Sequence, residues 1–199
     1  MKKLMVVVLG VLLFAPAAFA DNWGLGLKLG GAQNDPKIMK DLNGPGTDLD
    51  ENGAYFGLEA LYEWNLDEVN KIGAKVGWDT YGENKIEGFG SKLTETTYAF
   101  PFTAYFKQDY GVQNWSWFAG AGVTIIRTEL DSSGWIGKDD DSKTKVFPHV
   151  VVGGEYRFTE LFALGLEARY NFSAKVKKDG YVYSDRSGFG AALTGRFYF

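Results

Sequence analysis

The chain has 199 residues, 25 acids against 21 bases for a net charge of −4, and no cysteine. That mild acidity argues against nucleic acid as a partner, which needs a concentrated basic face. Without thiols there is no disulfide framework, so stability must come from strand pairing and burial.

The first twenty residues read as an address. Lys2 and Lys3 give a basic start, Leu4 to Phe14 are apolar, and Pro16 leads into Ala18-Phe19-Ala20, an A-x-A cleavage pattern. That run is too short to span about 30 Å of hydrocarbon as a helix. The expected organisation is a signal peptide over 1–20 and one domain over 21–199 that begins at Asp21. With no cysteine beside the cleavage site, no lipid-modified N-terminus is expected. No helix-length apolar stretch follows, so any membrane crossing must use strands.

Eight period-2 segments follow, near 23–33, 54–64, 71–81, 96–107, 115–128, 144–158, 162–173 and 188–199. Each has about the length that a tilted strand needs to cross a bilayer. One face carries no charge over the strands: Trp23, Leu25, Leu27 and Leu29 in the first, Phe56 to Trp64 in the second, Phe189 to Phe199 in the last. Arg127, at the end of the fifth, is the exception. The opposite face carries Lys28, Glu59, Glu63, Lys75, Asp79, Glu155, Arg157, Glu167, Arg169 and Arg196, with glycines between them.

Volume decides which face is inside. An eight-stranded barrel has an interior just filled by side chains or by one small ligand. The apolar face has too many large residues to fit there, which counts against a lipocalin-like soluble barrel. The charged, glycine-rich face fits, with its equal numbers of acids and bases paired. The expected fold is therefore all-β, an eight-stranded antiparallel up-and-down transmembrane β-barrel. Trp23, Trp64, Phe106, Trp115, Trp117, Phe158, Phe162, Phe197 and Phe199 fall at strand ends that an even-stranded meander brings to one rim, as membrane-interface aromatics do. Connections at 65–70, 108–114 and 159–161 are short. Those at 34–53, 82–95, 129–143 and 174–187 are long and polar, and are expected outside the cell.

The closing segment 188–199, GFGAALTGRFYF, resembles the last strand of bacterial outer-membrane proteins. Strand number and loop alternation resemble the small barrels of the outer-membrane protein A, X and W type, the outer membrane protein beta-barrel domain of Gram-negative bacteria. The resemblance implies that Phe199 is a signal read by the barrel-assembly machinery. Outer-membrane lipid and lipopolysaccharide are the other expected partners, and the protein is expected as a monomer. No peptidoglycan-binding domain, found after the barrel in some relatives, is expected here.

The inward charges are the candidate site. Their first reading is a lumen closed by ion pairs, in a protein with a structural or interaction role at the cell envelope. The alternative is a narrow porin-like channel for ions or small solutes, in which exchange of partners, as the resemblance to outer-membrane protein A implies, acts as a gate. A large diffusion pore does not suit eight strands. Asp48, Asp50 and Asn52, with Gly53 and Glu59 at the sixth and twelfth positions, match the EF-hand calcium pattern. Pro45 and Gly46 stand where a helix should precede it, so metal there is only a weak candidate, and no cofactor is expected. Asp139, Asp140 and Asp141 read as a solvated loop tip or a divalent-cation contact beside lipopolysaccharide. The only histidine, His149, lies on the inward register among valines. That placement suits packing better than a catalytic triad, so no enzyme activity is expected.

Overall fold

The computed structural model describes residues 23–33, 52–88, 91–110, 114–133, 139–178 and 181–199. It has ten strands. They are β1 (Trp23–Gln33), β2 (Asn52–Asn65), β3 (Asn70–Gly88), β4 (Ser91–Tyr110), β5 (Trp115–Ser133), β6 (Asp139–Arg157), β7 (Phe162–Asn171), β8 (Lys175–Lys178), β9 (Tyr181–Asp185) and β10 (Gly188–Tyr198). Eight form a closed antiparallel barrel in the order β1-β10-β7-β6-β5-β4-β3-β2, and β8 with β9 makes a separate two-stranded ribbon. The last strand closes on the first, with Leu27 opposite Gly195. The expected all-β, eight-stranded antiparallel barrel is the fold found.

Period-2 chemistry sets the inside and the outside. Along β7, Ala163, Gly165, Glu167, Arg169 and Asn171 are buried, while Leu164 and Leu166 between them are exposed. Leu29, Leu166, Phe189 and Val152 are all more than half exposed, and Lys28, Glu59 and Asp79 are buried. This inverts a soluble protein, and it is what a sheet wrapped in hydrocarbon requires.

Two expected loops are largely strand. β3 and β4 remain paired out to Gly88 opposite Ser91, and β5 and β6 out to Ser132 opposite Asp139. The segments 82–95 and 129–143 therefore form extended hairpins. Their composition reads as loop because polar residues occupy both registers there. The alternation fades while the backbone pairing continues. The segment 174–187 likewise holds the β8–β9 ribbon, and the seventh strand stops at Asn171, ahead of Ser173 with its φ of 52°. The proposed signal peptide, and residues 34–51 of the first long loop, lie outside the described residues.

Strand heights are consequently unequal. β3 to β6 have 19 or 20 residues each, whereas β1 and β10 have 11 and β7 has 10. At about 3.3 Å per residue and a tilt near 40°, a 20-residue strand rises roughly 50 Å, twice the roughly 25 Å apolar band of such barrels.

The β3–β4 pairing is interrupted at mid-height, below a register shift between Tyr81 and Asn84. Val76 pairs with Phe102 and Asp79 with Ala99, but Gly77 and Trp78 are unpaired opposite Phe100 and Pro101. Proline has no N–H to give. Its ring also needs a neighbour without a side chain, since a Cβ on Gly77 would lie 3.0 Å from Pro101 Cγ and 3.2 Å from Lys28 Nζ.

Candidate functional site: the charged lumen

The short connections gather at one end of the barrel, the turn end, and the long ones at the other, the loop end. Inward-facing positions of neighbouring strands bring the charged residues into one connected network along the axis.

Nearest the turn end, Lys107 Nζ donates to Glu63 at 3.1 Å, to Glu155 and to Tyr198 Oη at 3.2 Å. Tyr105 Oη donates to Glu63 at 3.0 Å, and Tyr198 Oη to Glu155 at 2.9 Å. In the middle, Arg196 binds three carboxylates: Nε to Glu59 at 2.6 Å, Nη1 to Glu155 at 2.8 Å and Nη2 to Glu167 at 3.3 Å. Lys75 pairs with Glu167 and lies 3.8 Å from Glu59. Toward the loop end, Lys28 sits 2.6 Å from Asp79, which also accepts from Arg169 Nη2 at 2.9 Å. All these charges are buried. Burial of a lone charge is costly, and here each has an opposite partner within reach.

Beside this network, His149 fills the wall between two hydroxyls, with Thr103 Oγ1 2.9 Å from Nε2 and Thr124 Oγ1 2.9 Å from Nδ1. Toward the loop end the lumen holds an apolar cluster that includes Tyr55, Tyr81, Ile126, Phe147 and Ala174. Among the charged residues, Lys28, Glu59, Lys75, Glu167 and Arg169 line a cavity with room for about one water molecule.

Nine of the ten charges expected inside meet in this network. The exception is Arg157. It ends β6 at the rim, half-buried, with its guanidinium 4.6 Å from the centre of the Tyr198 ring. No carboxylate lies within ion-pair distance of it among the described residues, because the last strand position already meets solvent. The base that takes its place is Lys107. Tyr105 and Tyr198 were missed as well. All three share the inward parity of Thr103 and Arg196, which is the signal that would have found them. Lys71 and Asp109, 2.7 Å apart, extend the network to the turn rim. Glu95 and Arg186, at the loop end, form a second buried pair 3.6 Å apart.

The aromatic residues gather as groups of touching rings at the turn end. Trp23 contacts Tyr62 and Tyr62 contacts Trp64, with centroids 4.9 and 4.7 Å apart. Phe106 meets Trp117 and Trp115 meets Tyr156. Tyr156, Phe158, Phe162 and Phe197 continue the series. Phe199 is exposed beside it, its N–H donating to Trp23 O at 2.9 Å. A smaller group, Tyr170 with Phe172 and Phe189 and Trp78 with Tyr98, lies toward the loop end. Arg127, the charge on the outward register, is paired with Glu129 at 2.9 Å.

For the calcium pattern, Asp48 and Asp50 lie outside the described residues and Asn52 opens β2. Glu59, its twelfth position, is inside the barrel, bound to Arg196. The aspartates 139–141 fall in the paired part of β6.

The model of the outer membrane protein beta-barrel domain matches residues 6–197. The chain belongs to that family. Membership places this outer-membrane β-barrel in the bacterial outer membrane. Solved structures show the same fold in distant sequences. Neisserial surface protein A is 16% identical, with 89% of this chain and 97% of that chain covered and a TM-score of 0.59. Ail, the attachment invasion locus protein of Yersinia pestis, is 15% identical over the same shares with a TM-score of 0.55. A major outer membrane protein of Thermus thermophilus is 9% identical, covering 89% and 99%, at 0.52. No curated protein matches the chain significantly.

Proposed function

We propose that this barrel has a structural and interaction role at the cell envelope, with its lumen closed by the ion-pair network. The observation that carries this reading is the continuity of the pairs from Lys107 to Arg169, which leaves a cavity for about one water. In the same reading the turn end faces the periplasm and the loop end the outside, since barrels of this type keep their long connections outside. The uncharged band and its aromatic ring then contact outer-membrane lipid and lipopolysaccharide, and Phe199 is the residue presented to the assembly machinery. His149, held by two threonines, packs the wall and does no chemistry.

Planar-bilayer recording tests the closure. The native protein is expected to give no steady single-channel steps, and regular steps would overturn it. A second reading, a narrow ion path, draws on Glu59. That one carboxylate has Arg196 at 2.6 Å, Lys75 at 3.8 Å and Lys28 at 4.0 Å, so exchange of partners needs only small side-chain movement. It predicts steps in the native protein that change size with Glu59→Gln or Arg169→Gln.

A further inference from the structure

The two stems of the β8–β9 ribbon fold into the barrel mouth. Ala174, between β7 and β8, is fully buried and packs in the apolar cluster with Tyr55, Tyr81 and Phe147. Arg186, between β9 and β10, is buried too and reaches the opposite wall. Its guanidinium stands 4.5 Å from the centre of the Tyr81 ring and 3.6 Å from Glu95. The stems are tied to each other and to β6. Arg186 N–H donates to Ala174 O at 3.0 Å, Ala174 N–H to Ser187 Oγ at 2.8 Å, and Lys145 Nζ to the carbonyls of Ser173 and Lys175 at 2.9 and 2.7 Å.

The side-chain end of this arrangement is poorly satisfied. Among the described residues, Arg186 Nε, Nη1 and Nη2 have no hydrogen-bond partner, and neither do Glu95 Oε2 and Asn171 Oδ1 beside them. In the network below, Glu59 Oε2 and Asp79 Oδ1 also lack a hydrogen-bond partner, but each of those carboxylates accepts from a guanidinium through its other oxygen, at 2.6 Å from Arg196 and 2.9 Å from Arg169. Here a charge has been taken out of water in exchange for one loose ion pair. A buried donor without an acceptor loses its hydration with no return, so the closed position is held weakly. Release would rehydrate all five of those polar atoms at once.

We propose that the stems Phe172–Lys175 and Asp185–Ser187 are a releasable cap on the lumen, latched by Arg186 against Glu95 and Tyr81. The cap opens and closes independently of the ion-pair layer beneath it. It deepens the closed-lumen reading and rests on it, because it adds a second closure at the end assigned to the outside.

The absence of native cysteine makes the test direct. Thr128 is buried at the mouth, 3.3 Å from Thr97 and hence beside Glu95. Val151 is buried lower down, against Tyr105 and Phe118. Single cysteines at each site are reacted with a charged thiol reagent in lipid nanodiscs, where both ends are accessible. Thr128→Cys is expected to react slowly in the native background and at least tenfold faster with Arg186→Gln or Glu95→Gln, while Val151→Cys stays protected in all three. Equal Thr128→Cys rates in every background would overturn the cap. So would a native-background rate as fast as that of the exposed Asp131→Cys, or parallel release of Val151→Cys, which would mean the whole barrel had loosened. If Arg186→Gln gives no heat-shifted folded band, Glu95→Gln carries the test. Labelling of Asp131→Cys on intact cells reads orientation separately. Its failure would reverse the ends of the molecule and leave the nanodisc result standing, while steady conductance of the native protein would remove the lower closure alone.

Discussion

Lys107 and Arg157 occupy comparable positions at the turn ends of β4 and β6, yet they differ in what their loss should cost. Lys107 neutralises Glu63 and Glu155 inside the barrel, so Lys107→Met leaves two buried carboxylates short of a base. The expected loss is about 3–5 kcal/mol in urea unfolding from lipid vesicles. Among the described residues the Arg157 guanidinium meets an aromatic face at the rim and no carboxylate, and Arg157→Gln is expected to cost less than about 1 kcal/mol. Equal losses would show that the charged interior does not depend on local pairing. Asp67, in the turn between β2 and β3, offers a pH test. The Asn70 side-chain amide and the N–H groups of Val69 and Asn70 hold its carboxyl below the usual carboxylate range. A depressed acid stabilises the turn above its unfolded pKa and loses that contribution as pH falls through the folded one. Amide exchange at Val69 and Asn70, corrected for intrinsic rate, is expected to quicken as pH drops below about 4. In Asp67→Ala it should be fast already and show no acid step. Among single residues, the inward charges were readable because a charge on an otherwise apolar strand has one place to go. Lys107 was not, because it falls at the end of the expected segment 96–107 and looks like the first residue of a turn, although β4 runs on to Tyr110.

Strands were legible where hydrocarbon demands alternation, and illegible above it. β1, with its Leu25, Leu27 and Leu29 against Gly26 and Lys28, could be bounded from the sequence alone, and it spans Trp23–Gln33. The upper halves of β3 to β6 could not. Polar residues on both registers remove the pattern there, although the pairing between strands continues. The interruption at Pro101 is a second feature that a face-by-face reading passes over. Proline on the inward register looks like an ordinary small apolar residue, and its cost falls on the neighbouring strand. Pro101→Ala restores a donor toward Gly77. The expected result is slower exchange of the Gly77 amide, which faces residue 101, by an order of magnitude or more, since one restored bond is worth about 1 kcal/mol and its neighbours close with it. An unchanged Gly77 rate would place the cause of the gap elsewhere than in the missing N–H.

At the scale of the molecule, two opposed constraints meet in one cylinder. The lipid side is set by area and needs only apolar surface. The lumen is set by volume and by charge balance, which is why the glycines sit inside: a Cβ on Gly73 would fall 2.3 Å from the Tyr105 ring. The fold was recoverable because both constraints act on every strand. The cap was not, because Glu95 and Arg186 lie in stretches whose composition resembles any solvated loop.

The uneven strand heights carry a mechanical consequence. Four neighbouring staves rise well above the other four, so the described strands of the barrel end in a half-collar. A sideways push on the tall side acts as a lever whose fulcrum is the headgroup layer. That torque would run down continuous hydrogen-bonded strands into the embedded half. It would reach β3 and β4 at the point where Pro101 leaves them unstitched.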